Sequence, residues 1–124
     1  MSETDWSKRE KEIARKAFKI AYDREQQAIM EDIRKRISEV SDLAELWRLQ
    51  EDLTEKRKEI NEKYDYRYSV LNLVFARLIS EGWLQKEDLE GLSDEKLEEI
   101  RRISLLLECS WREKPGGNDQ RPEV

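Results

Sequence analysis

The sequence predicts an all-α protein, in which a long two-helix stalk carries a small helical head and two copies dimerise through the long helices. Charged residues make up 43% of the 124 residues, whereas the chain holds only 4 glycines and 2 prolines. Both features are typical of long helices with one solvated face. Apolar residues also recur three and four positions apart over two long stretches, which is the spacing of amphipathic helices.

The first long helix is predicted from about Lys8 to about Ser38. Ser7 and Glu10 have the spacing of a capping box, in which two side chains bond the free N–H groups of the first turn. Behind them the apolar positions repeat with helical spacing at Ile13, Ala17, Ile20, Ala21, Ala28, Ile29, Ile33 and Ile37. Residues 1–7 are expected to be a polar N-terminal segment ahead of this helix.

The second long helix is predicted to start after Ser41 or Asp42 and to continue to about Tyr64. Glu45 follows Asp42 three positions later, which suits an N-terminal cap. Each residue turns the helix by about 100°. One side of the helix therefore collects its expected core positions, Leu46, Leu49, Leu53 and Ile60.

Trp47 falls about 130° away from that core side, among charged residues such as Glu51. A large aromatic residue in such surroundings favours a surface that anchors a protein partner. The other interpretation is that Trp47 packs against a second helix of its own chain. Gln50 and Arg57 lie on the border between the two sides of the helix, next to this candidate surface.

The second helix also carries the pattern of a coiled-coil seam. Its members alternate three and four positions apart, at Leu43, Leu46, Gln50, Leu53, Arg57, Ile60 and Tyr64. Two helices of about 35 to 45 Å leave an apolar edge uncovered in a single hairpin, so a homodimer is predicted with Leu43, Leu46, Leu53 and Ile60 in its seam. Polar Gln50 and Arg57 interrupt the seam, which could permit a higher oligomer. The alternative is a monomeric bundle whose third helix covers the seam.

Residues 8–64 would thus form the stalk, and residues 65–113 are predicted to form the head. The stretch from Ser69 to Ser80 is apolar on nearly every side, which predicts a buried helix. Gly82 is placed to end this helix in a left-handed conformation, with Trp83 and Leu84 folding back onto it.

A short helical turn is predicted at residues 86–89, followed by a break at Gly91 and a cap at Ser93 or Asp94. The last helix then has its apolar positions at Leu97, Ile100, Ile103 and Leu107. Glu98 and Arg102 are expected to form an ion pair on its surface. Residues 114–124 lack apolar periodicity and are expected to be a disordered tail.

The composition excludes most catalytic and metal-binding chemistry. The chain has no histidine, and its single cysteine, Cys109, can form no intrachain disulfide, which suits a reducing compartment. Since no carboxylate pair stands out from the charged helix faces, we expect no enzyme, no metal site and no cofactor. The net charge of −5 disfavours nucleic acid as a partner. Residues 70–79 are too few for a membrane span, and no signal peptide is recognisable, so the protein is expected in the cytoplasm.

Several short motifs, taken in order, are similar to those of one known family. They are Phe18, Ala21-Tyr22, Arg24-Glu25, Leu46-Trp47-Arg48-Leu49, Lys56-Arg57, Glu59-Ile60, Lys63-Tyr64-Asp65, Arg67, Ser69-Val70, Val74-Phe75-Ala76 and Glu81-Gly82. Their order and spacing between about Ala17 and Ile103 resemble the fluorescence recovery protein family of cyanobacteria. Ordered motifs over such a length are more specific than any single motif.

This resemblance implies a regulator that performs no chemistry and uses no cofactor. Members of that family are all-helical dimers with an extended stalk and a small head. They bind the photoactivated, red form of the orange carotenoid protein, mainly through its C-terminal domain. They detach it from the phycobilisome and accelerate its return to the orange form, which restores antenna fluorescence.

The resemblance also implies which residues bind the partner. The family's tryptophan and arginine match Trp47 and Arg57, and its acidic position matches Glu51. Gln50 stands where the family has a histidine. The expected partner-binding residues are therefore Trp47, Gln50, Glu51 and Arg57.

The head departs from the family at two further positions. Leu73 stands in place of an aromatic residue, and Glu99 in place of a lysine, both of which contribute to partner contact in the family. A reversed charge at an interface can exclude a partner. These departures keep open the alternative of a similar helical dimer that acts as an interaction protein for a different partner.

Overall fold

The computed structural model describes residues 6–113, with side chains described as far as residue 108. This part of the chain is all-α, as predicted, and its elements are α1 Lys8–Glu39, α2 Leu43–Lys63, α3 Leu71–Ser80, the 3-10 helix η1 Lys86–Leu89 and α4 Asp94–Glu113. The predicted disordered tail, residues 114–124, lies outside the described residues. Residues 1–5 and the side chain of Cys109 lie outside them as well.

The two long helices start where their capping residues predict. The Ser7 Oγ accepts a hydrogen bond from the Glu10 N–H at 3.1 Å, and the Glu10 Oε1 accepts one from the Ser7 N–H at 3.0 Å. The cap of α2 is Asp42, whose Oδ1 accepts a hydrogen bond from the Glu45 N–H at 2.8 Å. Both caps satisfy N–H groups that the first turn of a helix leaves unbonded.

Helices α1 and α2 run antiparallel and are joined by a short connection at residues 40–42. Arg36, near the end of α1, pairs with Asp52 at 2.6 Å, and Glu25 in α1 pairs with Lys63 at the end of α2 at 2.7 Å. Between these two ion pairs the helices border a cleft of about 580 Å³. Charged side chains therefore connect the two long helices at two levels, with open space between the levels.

The buried core lies where the first half of α1 meets α3, η1 and α4. Its largest fully buried side chains are Phe75, Leu71, Leu78, Leu84, Leu89 and Ile100. Three small residues of α1, Ala14, Ala17 and Ala21, are fully buried in the same cluster. The prediction of a buried helix within residues 69–80 is thus confirmed. Among the described residues, α2 adds no side chain to this cluster.

The apolar side of α2 is mostly exposed in the single chain. Leu49 is buried, but Leu46 and Leu53, which were expected on the same core side, are 40% and 37% exposed. The expected core side is therefore not covered within the single chain at these two positions, both of which also belong to the predicted dimer seam. The alternative in which a third helix covers the seam is also wrong for residues 6–113, because α3 and α4 pack with the first half of α1 instead.

Helix α3 ends in a Schellman motif at Gly82, as predicted. Gly82 has a φ of 91°, and its N–H donates a hydrogen bond to the Ile79 carbonyl at 3.0 Å. The Trp83 N–H donates to the Leu78 carbonyl at 2.8 Å, which completes the motif. Trp83 and Leu84 then pack onto the core.

We expect Gly82→Ala to lower the free energy of unfolding by about 1 kcal/mol, because alanine is disfavoured at positive φ. No heavy atom lies within 4 Å of the place that the new Cβ would occupy, so the loss reports backbone conformation alone. Gly82→Asn is the matched control and should lose less, since asparagine tolerates this region. Urea denaturation followed by circular dichroism measures both. Wild-type stability of Gly82→Ala would contradict the expectation.

Helix α4 is capped by Ser93, whose Oγ accepts a hydrogen bond from the Lys96 N–H at 3.2 Å. The break before it is at Gly91, which has a φ of 108°. Glu98 pairs with Arg101 at 3.1 Å, one residue earlier than the predicted partner. Within residues 6–113, none of the helices combines the length and the apolar character that a transmembrane span requires.

Candidate partner-binding surface on α2

Trp47 lies on the outer side of α2 and is 56% exposed. The interpretation in which it packs against a second helix of its own chain is therefore wrong. Its outward position follows from helix geometry, since it stands away from the buried Leu49 by about 160° of rotation around the axis. An indole with this exposure presents a large apolar area that a partner can cover.

The other three predicted residues, Gln50, Glu51 and Arg57, are exposed as well. Helix geometry puts Gln50 and Glu51 one turn from Trp47, whereas Arg57 lies about 15 Å farther along the axis than Trp47. The Gln50 Nε2 donates a hydrogen bond to the Thr54 Oγ1 at 3.4 Å, and the Thr54 hydroxyl donates to the Gln50 carbonyl at 3.1 Å. The four residues thus form one strip along α2, and partner binding by this α2 strip stays a prediction.

The predicted dimer seam runs along the same helix. Leu43 is 60% exposed, Leu46 and Leu53 are also exposed, and Ile60 is half-buried. Several exposed leucines along one helix are a feature of surfaces that another chain covers. The dimer itself stays a prediction.

A buried charge network that the sequence patterns do not predict lies at the end of α2. The Lys63 Nζ donates hydrogen bonds to the Glu25 Oε2 and the Glu81 Oε1, each at 2.7 Å, and the Lys63 side chain is only 1% exposed. The Tyr64 hydroxyl donates to the Glu25 Oε1 at 2.8 Å, and the Arg77 Nε donates to the Glu81 Oε2 at 2.9 Å. We call these five residues the Lys63 network. It joins α1, α2 and the end of α3.

The charges of the Lys63 network balance, because two cations face two carboxylates. Burial alone would raise the pKa of Glu81, but the hydrogen bonds and charges of Lys63 and Arg77 outweigh it and lower that pKa. Burial and the bond to Glu25 raise the pKa of Tyr64, so its hydroxyl stays protonated as a donor. The Lys63 network therefore connects the end of α2 to α1 and α3 through ion pairs and hydrogen bonds, since α2 adds no side chain to the apolar core cluster among the described residues.

One sequence signal could have pointed to this network. Lys63 follows Ile60 by three residues and so stands at the border of the apolar side of α2. A lysine in that position is buried only with carboxylate partners. Its partners, Glu25 and Glu81, lie 38 and 18 residues away, so the sequence could not name them.

The lowered pKa of Glu81 predicts a pH dependence of stability. In the folded chain this pKa lies below the ordinary carboxyl value of 4.5. The contribution of Glu81 is therefore fully present above pH 4.5 and is lost as the pH falls through the folded pKa. We expect the free energy of unfolding to decrease in acid below that pH, and Glu81→Gln to make this decrease smaller.

Urea denaturation at a series of pH values between about 3 and 7 measures this effect. Glu55→Gln is the matched control, because Glu55 is an exposed carboxylate on α2, and it should follow the wild-type pH dependence. Identical pH dependences for Glu81→Gln and wild type would contradict the expectation.

Leu73 and Glu99, the two head positions that differ from the residues expected from the family resemblance, have different surroundings. Leu73 is 52% exposed and lines a groove of about 600 Å³ between the end of α2 and α3. Glu99 is exposed, and its Oε1 accepts a hydrogen bond from the Asn72 Nδ2 at 2.8 Å. The acidic charge of Glu99 therefore remains at the surface, next to α3.

Residues 6–104, which span α1, α2, α3, η1 and half of α4, match the photoprotection regulators described as fluorescence recovery protein. The fold is thus that of an all-helical regulator of photoprotection. The chain belongs to the fluorescence recovery protein family, as its motifs predicted.

Individual relatives agree with this assignment. The fluorescence recovery protein of Synechocystis sp. PCC 6803 is 36% identical over 105 residues, which cover 85% of this chain and 96% of that protein. The solved structure of the Fremyella diplosiphon protein matches with a TM-score of 0.78 and 46% identity, and covers 82% of this chain and 99% of its own. The solved Synechocystis structure matches with a TM-score of 0.78 and 36% identity over 81% of this chain and 98% of its own.

Proposed function

We propose that this protein binds the C-terminal domain of the photoactivated orange carotenoid protein. It accelerates the return of that photoprotein from the red to the orange form. It thereby detaches the photoprotein from the phycobilisome, and antenna fluorescence recovers. The observation that carries the proposal is the exposed α2 strip, with Trp47 and Arg57, on a chain of the fluorescence recovery protein family. Tryptophan and arginine are the residues that most often anchor protein interfaces.

Acceleration without catalytic groups requires differential binding. The protein must stabilise the path toward the compact orange form more than it stabilises the open red form. A surface such as the α2 strip can do this by contacting parts of the photoprotein that approach each other during closure. The single cysteine suits a reducing compartment, so this action is proposed in the cytoplasm.

We also propose that the active form is a homodimer that pairs through α2. The exposed row of Leu43, Leu46 and Leu53 supports this, because a second copy would remove it from water. Gln50 and Arg57 in the same seam restrict the register, and they leave room for a higher oligomer. Residues 8–64 would form the stalk and residues 65–113 the head, with the first half of α1 packed into the head core.

The proposal predicts that catalytic amounts of this protein speed the red-to-orange decay of illuminated orange carotenoid protein, measured by absorbance in the dark. Trp47→Ala and Arg57→Leu should each reduce the acceleration by about tenfold or more, since each removes an interface anchor. Both variants should keep the wild-type helicity, because neither side chain is buried in the chain. Light scattering checks that the mass is unchanged as well, since Arg57 lies in the predicted seam.

Arg34→Leu is the matched control for the second variant, since Arg34 is an exposed arginine on α1 outside the α2 strip, and it should keep wild-type acceleration. Full acceleration by Trp47→Ala would contradict the assigned anchor. If the wild-type protein at an equimolar ratio did not accelerate the red-to-orange decay, the proposed function would be refuted.

A second candidate function is that of a similar helical dimer that binds a different partner. Leu73 and Glu99 favour this second function, because they replace an aromatic residue and a lysine that contact the partner in the family. The exposed carboxylate of Glu99 would repel a partner surface that suits a lysine. Glu99→Lys decides between the two functions in the same decay measurement. A gain of acceleration from an inactive wild type would show that this charge excludes the photoprotein.

A further inference from the structure

The first half of α1 carries a charge opposite to that of the whole chain. Between Lys8 and Lys19 the sequence has six basic residues and two acidic ones, whereas the chain has a net charge of −5. One of the two carboxylates is withdrawn from the surface, since Glu10 is buried and its oxygens accept hydrogen bonds from Lys96 and from backbone N–H groups. Glu12 is therefore the only exposed carboxylate of this segment.

Helical spacing gathers most of these cations on one side. The basic stripe consists of residues three or four positions apart, which keeps them within a sector of about 80° over about 16 Å of helix. Its members are Lys8, Lys11, Arg15 and Lys19. The opposite side of the same helix is buried through Ala14, Ala17 and Ala21. The stripe is therefore held facing solvent.

The basic stripe is unfavourable for the helix that carries it. Lys11 and Arg15, like Arg15 and Lys19, are equal charges four residues apart, which repel each other. Lys8 and Lys11 also lie near the N-terminus of α1, where the helix dipole disfavours cations. Within residues 6–113, Lys8 and Arg15 form no ion pair that would offset this cost. The compensation is partial, because Lys19 pairs with Asp23 at 3.2 Å and the Lys11 Nζ lies over the Tyr68 ring. A cluster of like charges that the chain compensates only in part is typical of a binding surface.

Aromatic rings lie beside the stripe in continuous contact. Their neighbouring centroids are between 4.9 and 5.7 Å apart, and the row runs through Tyr68, Tyr66, Phe18, Tyr64 and Tyr22. The Lys11 Nζ lies 5.3 Å from the centroid of the Tyr68 ring. These contacts fix the rings, so they offer a preformed surface with little conformational freedom to lose on binding.

A groove of about 340 Å³ opens at the far end of the row. It is lined by the apolar and aromatic side chains of Phe18, Tyr22, Ile60 and Tyr64, with Lys19 and Asn61 at its polar side. Asn61 stands one helical turn after Arg57, so the groove adjoins the α2 strip. The groove therefore lies between the basic stripe and the α2 strip. Ile60 is also the last position of the predicted seam, and the groove stays open because the proposed dimer pairs through Leu43, Leu46 and Leu53.

We infer that the basic stripe and the groove bind an acidic segment of a protein, with one apolar side chain of that segment in the groove. Carboxylates opposite Lys8, Lys11 and Arg15 would remove the repulsion within the stripe, and the aromatic lining suits an apolar anchor. A long polyanion such as nucleic acid suits this surface less, because the rest of the chain is more acidic than the whole. This inference goes beyond the proposed function, because it assigns a second binding surface. The ligand needs only several acidic residues and one apolar side chain.

The test uses the full chain and a fluorescein-labelled peptide of glutamates with one central tryptophan, followed by fluorescence anisotropy. The peptide should bind the wild-type protein at low salt and dissociate as salt is added. The triple variant Lys8→Gln, Lys11→Gln, Arg15→Gln should bind it about tenfold more weakly, because three charge contacts are lost. Tyr22→Ala should weaken binding as well, by removing one wall of the groove.

The matched control carries the same loss of charge elsewhere, as Lys35→Gln, Lys58→Gln and Arg102→Gln, three exposed cations outside the stripe. It should bind the peptide within about twofold of wild type. The stripe variant should be about as stable as wild type in urea, since the repulsion that it loses offsets the lost contact of Lys11 with the Tyr68 ring. The urea measurement thereby separates weaker binding from unfolding.

Three results would overturn the inference. They are failure of the wild-type protein to bind the peptide, equal binding by the stripe variant, and tighter binding of a single-stranded oligonucleotide of the same charge than of the peptide. Because no photoprotein is present in this measurement, its outcome is independent of whether the proposed function holds.

Discussion

Lys63→Met is expected to lower the free energy of unfolding by about 3–5 kcal/mol. The substitution keeps the length of the side chain but removes the cation that both Glu25 and Glu81 bond at 2.7 Å. Glu25 is buried and would keep only the Tyr64 hydroxyl as a partner. The loss is large because an unpaired carboxylate then remains away from water.

Lys56→Met is the matched control on the same helix. Lys56 is half-exposed and pairs with Glu59 at 3.6 Å, so its loss should cost less than about 1 kcal/mol. Urea denaturation at one fixed protein concentration measures both variants, because the stability of a dimer depends on concentration. A loss below about 1 kcal/mol for Lys63→Met would show that the network contributes little.

A second variant separates lost pairing from lost packing at this position. Adding Glu25→Gln and Glu81→Gln to Lys63→Met removes both buried negative charges while leaving side chains that still accept hydrogen bonds. The triple variant should therefore be more stable than Lys63→Met alone. Equal stability of the two would assign the loss to packing.

Leu46→Glu is expected to convert the proposed dimer into monomers at micromolar concentration. In a symmetric dimer the substitution places two carboxylates in the apolar seam, and burying each costs several kcal/mol unless it is paired. The dissociation constant should rise by about a hundredfold or more. Light scattering coupled to size-exclusion chromatography measures the mass directly.

Leu106→Glu provides the matched control, because it makes the same chemical change at an exposed leucine of α4 outside the seam. It should leave the mass of the dimer unchanged, and helicity should be unchanged in both variants. A dimeric mass for Leu46→Glu, or a monomeric mass for wild type, would refute pairing through α2.

The helices were predictable because their ends depend on residues that are close in sequence. Ser7 with Glu10, Asp42 with Glu45, and Gly82 each act within one or two helical turns, and all three act as predicted. Local bonding of this kind needs no knowledge of the fold. The family assignment rested on ordered motifs and was likewise available from the sequence.

The candidate site was predictable in part, for a related reason. The outward position of Trp47 follows from the helical repeat, which places it away from Leu49. Whether Leu46 and Leu53 face a core or another chain does not follow from that repeat, because both arrangements require the same apolar spacing. The structure shows them exposed in the single chain.

The order and type of the helices, the absence of catalytic histidine chemistry and the exposure of Trp47 all follow from composition and short-range spacing. The partners of Lys63 and Glu10 do not, because Lys63 meets carboxylates 38 and 18 residues away, and Glu10 meets the backbone of Ser93 across 83 residues. Such pairs depend on how the packed core orients each helix. Burial then makes these contacts obligatory, since a charge removed from water requires a partner wherever the fold supplies one.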